Sequence, residues 1–303
     1  MGYTSPLGKI TKGYLVMKFI LSTTLLVLLN FSAHPLVAET INIGRSDVRM
    51  LVPDDYTGDK EVPLVLLLHG YRASGMMQEF YMRFGSLVNE YQFLYLIPDG
   101  TVENSQEKNR FWNATKACCN SYGSTVDDSN YLHDLIEAVK SQYAVDNNRV
   151  FLIGHSNGGF MSHRMAYDHP DTVAAIASLA GASMLEMSNP TPKKPVNILQ
   201  IHGTDDDTVK YEGGKFSAGI PYPSAIESME KWIVHNGADL DKRQLKKNID
   251  LEASIDGDET TVTQFDKHGN IELWSIENGG HVPKLSISFT RQVIEWLFDH
   301  PKI

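Results

Sequence analysis

Cysteine, positive charge and long apolar runs are all scarce in this 303-residue chain. It has 2 cysteines, too few to build a structural zinc site from thiolates. The formal net charge of −10 argues against nucleic acid or an anionic membrane surface as a partner. The apolar run at residues 19–31 is shorter than the roughly 18 residues that indicate a membrane span, so we expect no stable membrane anchor. The sequence also lacks internal repeats, low-complexity tracts and an interdomain linker, which favours a single domain.

The N-terminal segment has the pattern of a signal peptide. Residues 1–38 carry lysines but no acidic residue, and the apolar run follows Lys18 directly. Small residues then lead to Ala38, which predicts cleavage after that residue. We therefore expect a signal peptide at 1–38, with Met17 as an alternative start, and a secreted or periplasmic domain at 39–303. A buried N-terminal helix or a permanent anchor is the competing interpretation.

The two cysteines, Cys118 and Cys119, are neighbours in the sequence. In an exported protein, a pair of cysteines suggests a disulfide. Neighbouring Cα atoms, however, are only about 3.8 Å apart, which is below the usual range for a bridge. A vicinal disulfide and two free buried thiols are therefore both left open.

Segments with strand and helix patterns alternate along the chain. The run 64–68, bounded by Pro63 and Gly70, is continuously apolar and typical of a parallel strand buried on both faces. Further strands are predicted at 41–43, 48–52, 93–97, 149–153, 173–179, 196–201, 261–265 and 271–276. Helices are predicted at 77–91, from a Ser129 cap through Val139, after residue 156, at 224–235 and at 286–298. This alternation predicts an α/β fold with a mostly parallel central sheet and helices on both faces.

The pentapeptide Gly154-His155-Ser156-Asn157-Gly158 lies between an apolar strand and a helical pattern. This is the sequence of a nucleophile elbow, a sharp turn that exposes a serine at its tip. Strand and helix approach closely at such a turn, so the positions two before and two after the serine must lack a side chain. Ser156 is the predicted nucleophile. A glycine-rich turn at this place also suits plain packing or phosphate binding.

Ser156 needs a base to take its proton and an acid to orient that base. Asp206 lies in a turn directly after the strand at 196–201, and the carboxyl ends of parallel strands carry the chemistry of α/β proteins. His281 follows the strand at 271–276 on a loop that begins Gly279-Gly280. We predict Asp206 as the acid and His281 as the base. Asp205 and Asp207 are alternatives for the acid at the same turn.

Acyl transfer also needs donors for the oxyanion. The backbone N–H of Asn157 follows the nucleophile, and the N–H of Tyr71 lies in the loop after the strand at 64–68. A simple packing turn is the alternative at Tyr71. The long polar segment 101–128, which contains Trp112, is predicted to form a wall of the site because such loops are usually functional. We predict Trp112 and His155 as substrate-binding residues.

Ordered motifs throughout the chain resemble one family of α/β-hydrolase esterases. They are His69-Gly70, Pro98-Asp99-Gly100, Phe111-Trp112-Asn113, Val126-Asp127-Asp128, Asn148-Arg149-Val150, the elbow, His202-Gly203-Thr204-Asp205-Asp206 and Gly279-Gly280-His281. Together they look like the LpqC-like poly(3-hydroxybutyrate) depolymerase and feruloyl esterase family. The resemblance implies a secreted serine esterase with the α/β-hydrolase fold, with Asp206 as the triad acid and no cofactor. Hydroxyalkanoate oligomers and feruloyl or acetyl esters are the implied substrates.

Two departures from the family pattern bear on the substrate. The family commonly has Trp-Pro after the catalytic histidine, whereas Val282-Pro283 follows His281 here. The chain also lacks a Ser/Thr-rich linker and a separate binding module of the kind expected for solid polymer, so soluble or short esters are expected.

A peptidase of the same fold and a non-catalytic binding protein are the alternatives to an esterase. No His-Glu-x-x-His motif occurs, so metal-dependent hydrolysis is not expected.

Overall fold

The computed structural model describes residues 1–2, 37–187, 194–216, 219–238, 243–265 and 270–302. The predicted signal peptide, apart from its first two and last two residues, lies outside the described residues. Its last two residues already belong to the first strand, so cleavage after Ala38 would shorten that strand from its beginning. In the described ranges, every helix is too short or too polar to cross a bilayer.

A central sheet dominates the part of the chain that the structure describes. The strands of the described residues are β1 Val37–Ile41, β2 Val48–Val52, β3 Val62–Leu68, β4 Leu94–Ile97, β5 Thr101–Val102, β6 Arg110–Phe111, β7 Val145–His155, β8 Ala175–Leu179, β9 Asn197–Gly203, β10 Gly214–Lys215, β11 Pro221–Tyr222, β12 Gln244–Leu245, β13 Thr260–Gln264 and β14 Ile271–Ile276. Ten of them form the central sheet, in the order β1-β2-β4-β3-β7-β8-β9-β14-β13-β12, and the other four form the separate pairs β5/β6 and β10/β11. All strands from β4 to β14 in the sheet order run parallel, and β1, β2, β13 and β12 add antiparallel edges.

Strand β3 shows why the parallel core forms. Its side chains alternate between the two faces of the sheet, with Leu64, Leu66 and Leu68 in one core and Val65 and Leu67 in the other. All five are fully buried. Each contributes about 1.5–3 kcal/mol of hydrophobic stabilisation relative to an exposed position. The prediction of a strand buried on both faces is confirmed.

Helices cover both faces of the sheet. They are α1 Gly75–Met82, α2 Val88–Tyr91, α3 Asp128–Lys140, α4 Asn157–Asp168, α5 Ala225–Asn236 and α6 Phe289–Asp299. On one face, α3, α4 and α5 contribute Leu132, Phe160 and Trp232 to the core. On the other face, α1 and α6 contribute Met82 and Val293. The predicted single α/β domain with a mostly parallel sheet is confirmed.

The single helix predicted at 77–91 is wrong. The chain breaks at Arg83, which has φ of 57°, and continues as a 3-10 turn at Phe84–Leu87 before α2. The Glu79 carboxylate accepts from the Gly85 N–H at 2.9 Å, and a Cβ on Gly85 would lie 2.7 Å from that same carboxylate oxygen. The break turns Phe84 into the core and leaves Phe80 79% exposed.

The predicted cap of α3 also needs correction. Asp127, not Ser129, caps α3, because its carboxylate accepts from the Asn130 N–H. Ser129 is buried and donates to Asp168 at 2.8 Å. The short hairpins β5/β6 and β10/β11 and the edge strand β12 were not predicted, since two-residue strands leave no periodic pattern. The connection between β13 and β14, at residues 266–269, lies outside the described residues.

Candidate active site

Ser156 lies at the sharp turn between β7 and α4. Its backbone has φ of 54° and ψ of −120°, a conformation that residues with a side chain rarely adopt. The turn is fixed on both sides, because the Ser156 N–H donates to the carbonyl of Leu179 at 2.8 Å and the Ser156 carbonyl accepts from Phe160 at 3.0 Å. Strain of this kind persists only where the surrounding structure holds it in place, and it is concentrated at functional sites.

The glycines beside Ser156 allow strand and helix to touch. A Cβ on Gly158 would lie 2.1 Å from the carbonyl oxygen of Leu68, and a Cβ on Gly154 would lie 2.1 Å from the carbonyl oxygen of Gly158. Neither position has room for a side chain. The elbow therefore depends on backbone packing between β3, β7 and α4.

The structure brings Ser156, His281 and Asp206 into one hydrogen-bonded line. His281 Nε2 lies 2.9 Å from Ser156 Oγ, and His281 Nδ1 lies 2.7 Å from Asp206 Oδ2. An ionised carboxylate only accepts, so Nδ1 carries the proton and Nε2 accepts from the serine hydroxyl. The Asp206 side chain is fully buried, whereas that of His281 is 14% exposed. Such a line can draw a proton from the hydroxyl while the carboxylate stabilises the imidazolium.

Asp206, rather than its neighbours, faces the imidazole. Its Oδ1 accepts from the backbone N–H groups of Thr208 at 2.9 Å and Val209 at 2.8 Å. Asp205 and Asp207 are exposed. Burial would raise the pKa of the Asp206 carboxyl, but hydrogen bonds from His202 and His281 outweigh that effect and hold the pKa well below its usual range. The carboxylate is thus ionised at neutral pH.

The turn after β9 that carries Asp206, here called the acid turn, and the loop of His281 are held together by their backbones. A Cβ on Gly203 would lie 2.2 Å from the carbonyl oxygen of Gly279, so both chains pass at the closest distance that glycine allows. The N–H of Asp205 donates to that same carbonyl at 2.9 Å. The Thr204 hydroxyl accepts from the N–H of Asn278 at 2.8 Å. These contacts set the distance between the carboxylate and the imidazole.

His155 supports the His281 loop instead of lining an open site. Its side chain is buried, and Nε2 donates to the carbonyl of His281 at 2.9 Å. The ring packs against Tyr81, with centroids 5.7 Å apart. Burial, followed by the neighbouring His281, lowers the pKa of His155 to about 4, so the ring stays neutral at neutral pH. The contact that the structure gives His155 is with the His281 loop, and a contact with substrate stays a prediction.

Trp112 is fully buried and also does not line an open site. Its indole N–H donates to the carbonyl of His69 at 3.0 Å. Its backbone N–H donates to the Asn157 side chain at 2.6 Å, and Asn157 Nδ2 donates back to the Trp112 carbonyl at 2.9 Å. Trp112 thus fastens the segment 101–128 to the start of α4. Its buried side chain packs within the protein, and a direct contact with substrate stays a prediction.

The two predicted oxyanion donors lie beside the nucleophile. Asn157 is the first residue of α4, so its N–H has no intrahelical acceptor. A Cβ on Gly70 would lie 3.4 Å from the Cβ of Ser156, which places the Gly70–Tyr71 peptide against the serine. Within the part of the chain that the structure describes, the Tyr71 N–H has no acceptor, while its hydroxyl donates to Glu103 at 2.9 Å.

His69 orients the Gly70–Tyr71 peptide, a role that the sequence reasoning missed. His69 Nε2 accepts from the Gly100 N–H at 2.8 Å, which leaves Nδ1 to donate to the Gly70 carbonyl at 2.7 Å. In a trans peptide, the carbonyl of Gly70 and the N–H of Tyr71 point in opposite directions. Fixing the carbonyl therefore also fixes the N–H. Burial lowers the pKa of His69, which favours this neutral tautomer.

Cys118 and Cys119 form a disulfide, which settles the alternative that the sequence left open. The Sγ of Cys118 lies 3.7 Å from Asn157 Nδ2, so the disulfide packs against the same side chain that holds Trp112. In the described ranges, no group of three or more His, Cys, Asp or Glu side chains could hold a metal ion.

Comparisons with known proteins agree with this fold. A family model described as Phospholipase/Carboxylesterase matches residues 56–247. Feruloyl esterase B of Piromyces equi is 24% identical over 251 residues, which are 79% of this chain and 44% of the relative. Poly(3-hydroxyalkanoate) depolymerase C of Paucimonas lemoignei is 28% identical over 126 residues, 39% of this chain and 28% of the relative. The chain thus spans less than half the length of these two relatives.

Among solved structures, an acetyl xylan esterase from Aspergillus awamori superposes with a TM-score of 0.62 at 14% identity. The superposition covers 87% of this chain and 99% of that one. At this identity the likeness supports the fold alone.

Proposed function

We propose that this chain, which belongs to the phospholipase/carboxylesterase family of α/β-hydrolases, hydrolyses carboxylic esters with Ser156, His281 and Asp206. The observation that carries the proposal is the line of 2.9 Å and 2.7 Å contacts from the serine hydroxyl through the imidazole to the buried carboxylate. The serine is held at a strained elbow tip, where its hydroxyl meets that imidazole. These are the parts that acyl transfer requires.

In the proposed reaction, Ser156 Oγ attacks the ester carbonyl while His281 Nε2 takes the hydroxyl proton. The backbone N–H groups of Asn157 and Tyr71 stabilise the negative charge on the carbonyl oxygen. Asp206 stays ionised and stabilises the imidazolium through Nδ1. His281 then gives its proton to the departing alcohol, and the acyl group remains on Ser156. A water molecule then attacks the acyl carbon while His281 Nε2 takes its proton. The carboxylic acid is released as His281 returns that proton to Ser156 Oγ.

Short or soluble esters are the proposed substrates: feruloyl and acetyl esters, or small hydroxyalkanoate oligomers. Val282 is 61% exposed directly after the proposed base, at the position where the family pattern has tryptophan. The named activities of the relatives support the same ester classes.

We also propose export of the protein, based on the N-terminal pattern.

A panel of esters tests the proposed function. It contains chromogenic esters of graded acyl length, methyl ferulate, a 3-hydroxybutyrate oligomer and a chromogenic peptide amide. We expect turnover of short acyl or feruloyl esters, and much slower cleavage of the amide. The Ser156→Ala variant should fold and lose activity by about 10⁴-fold or more. Equal turnover by the parent and the alanine variant would refute Ser156 as nucleophile, and faster cleavage of the amide would favour a peptidase.

A further inference from the structure

A row of buried polar side chains leads from the core to the proposed catalytic acid. Its members are Trp232 on α5, His163 on α4, and Gln200 and His202 on β9. All four are at most 1% exposed. Gln200 and His202 are two residues apart on one strand and therefore point to the same face of the sheet. None of the four belongs to the Ser156, His281 and Asp206 line.

The contacts in this row are continuous. Trp232 Nε1 lies 2.9 Å from His163 Nδ1, and His163 Nε2 lies 2.9 Å from Gln200 Oε1. Gln200 Nε2 lies 3.1 Å from His202 Nδ1 and 2.9 Å from the carbonyl oxygen of Gly181. His202 Nε2 lies 2.7 Å from the carbonyl oxygen of Val209 and 3.3 Å from Asp206 Oδ2. The row thus ends on the same carboxylate oxygen that accepts from His281.

Three groups that can act in only one way fix the direction of every hydrogen bond in the row. The Trp232 indole only donates, so His163 Nδ1 accepts and its Nε2 carries the proton. The Gly181 carbonyl only accepts, so the amide nitrogen of Gln200 faces it, and the same nitrogen donates to His202 Nδ1. The Val209 carbonyl only accepts, so His202 Nε2 carries the proton. The three constraints agree and leave each histidine one neutral tautomer.

We propose that His202 is a positioning residue for the catalytic acid, and that Trp232, His163 and Gln200 lock it in the tautomer that this role requires. The proposal rests on the function proposed above. With Nε2 protonated, His202 donates to the Val209 carbonyl at 2.7 Å and presents the same N–H to Asp206 Oδ2 at 3.3 Å. The other tautomer would set a nitrogen lone pair against the carboxylate and the carbonyl, and would push the acid away from His281. Misplacing a catalytic group by about 1 Å can cost about 100-fold in rate.

Packing alone gives no reason for polar groups at these four positions. A buried polar row costs free energy unless every member has a partner, and apolar residues would fill the same space without that requirement. Here every nitrogen and oxygen of the row has a partner, and the row ends at Asp206. The polar side chains are therefore better explained by the need to hold the Asp206 carboxylate in place than by packing of the core.

Two substitutions of His202 separate positioning from folding. His202→Gln keeps an N–H donor near the place of Nε2, whereas His202→Leu removes it. We expect kcat for a short chromogenic ester to fall roughly 100-fold in His202→Leu, with KM within about twofold, and to fall only a few-fold in His202→Gln. End-point labelling by a fluorophosphonate should stay near one per chain in both variants, while the labelling rate falls with kcat. His133→Leu, a half-exposed histidine on α3, is the control and should match the parent.

The proposed tautomers are tested in the parent and in Gln200→Leu. Nitrogen NMR of protein labelled with nitrogen-15 histidine should show His163 and His202 protonated at Nε2 in the parent. Gln200→Leu should give a mixture at His202 and a roughly tenfold lower kcat. This variant also serves if His202→Leu does not fold.

Several outcomes would overturn the positioning role. They are an unchanged kcat in His202→Leu, equal losses in the leucine and glutamine variants, or fewer labelled sites with an unchanged rate per site. An Nδ1-protonated His202 in the parent would overturn it as well. A parent that is neither labelled nor active would instead show that the proposed function itself is wrong.

Discussion

The nucleophile and the acid–base pair are positioned by different means. Ser156 is placed by backbone geometry: a positive φ and glycines packed against carbonyl groups of neighbouring strands. Asp206 and His281 also depend on close backbone packing, at Gly203 and Gly279, but the orientation of the pair is set by polar contacts. The Asp206 carboxylate accepts from the backbone N–H groups of Thr208 and Val209 and lies 3.3 Å from His202 Nε2, and His155 donates to the His281 carbonyl. We therefore expect the elbow around Ser156 to tolerate almost no increase in side-chain volume. We expect the contacts of Asp206 and His281 to tolerate substitutions of similar shape and to respond to protonation.

The largest expected effect is at the elbow. Gly158→Ala places a methyl group against the carbonyl of Leu68, where no flexible side chain can give way. We expect loss of activity and a decrease of about 3 kcal/mol or more in the free energy of unfolding. Urea denaturation measures it. Gly280→Ala is the matched control, because a Cβ there meets nothing within 4 Å, and its free energy of unfolding should match the parent. Equal stability of the two variants would contradict a backbone-packed elbow.

Asp206→Asn tests the acid–base pair without a change in side-chain volume. The amide would present a donor where His281 Nδ1 also donates, so the base would be held in the wrong tautomer. We expect kcat to fall by about 10⁴-fold with a small change in KM. Asp207→Asn changes an exposed neighbour and should keep the activity of the parent. Steady-state kinetics on one chromogenic ester compares them, and similar losses in both variants would remove Asp206 from its proposed role.

Stability should fall in mild acid because buried histidines are kept neutral. Burial lowers the pKa of His155 and of His163 from the ordinary value of 6.5 to about 4. Between those values the unfolded chain binds more protons than the folded one, so stability is lost as pH falls from about 6.5 to about 4. Each histidine accounts for about 2–3 kcal/mol across that window. Asp206 adds a loss only below about pH 4, since its pKa is depressed.

Urea titrations at pH 7, 5.5 and 4.5 measure this dependence. His163→Gln should flatten the profile because one protonation site of the unfolded chain is gone. A parent whose stability is the same at pH 7 and pH 4.5 would show that these histidines are not held neutral.

The smallest effect is expected at His155, which holds the base through a hydrogen bond to the His281 carbonyl and a ring contact with centroids 5.2 Å apart. His155→Leu removes the donor to the His281 carbonyl, and we expect roughly a tenfold loss of kcat, equivalent to about 1.4 kcal/mol. His155→Gln retains an N–H and should recover most of the rate. A change in KM without a change in kcat would instead support the original prediction of a substrate contact.

The local part of the fold could be predicted from the sequence. The strand at 64–68, the glycines around Ser156 and the order of Asp206 and His281 all follow from neighbouring residues. Each pattern is confined to one element, so it needs no knowledge of the tertiary structure.

The features that were missed depend on distant contacts. The break at Arg83 follows from Glu79 bonding to Gly85 while Leu51 packs nearby. The burial of Trp112 depends on its pairing with Asn157, 45 residues away. The row behind His202 joins residues from three elements, and only its His-Gly start was visible in the sequence.

Fluorophosphonate labelling followed by peptide mapping tests most directly whether Ser156 is the nucleophile of a proton-transfer line. We predict one adduct per chain, on Ser156, and a labelling rate that falls as the pH drops through the range in which histidines become charged. His281→Gln should slow the labelling by several orders of magnitude while the chain stays folded. A folded parent chain that turns over esters but carries the adduct on another residue, or none, would contradict the proposal.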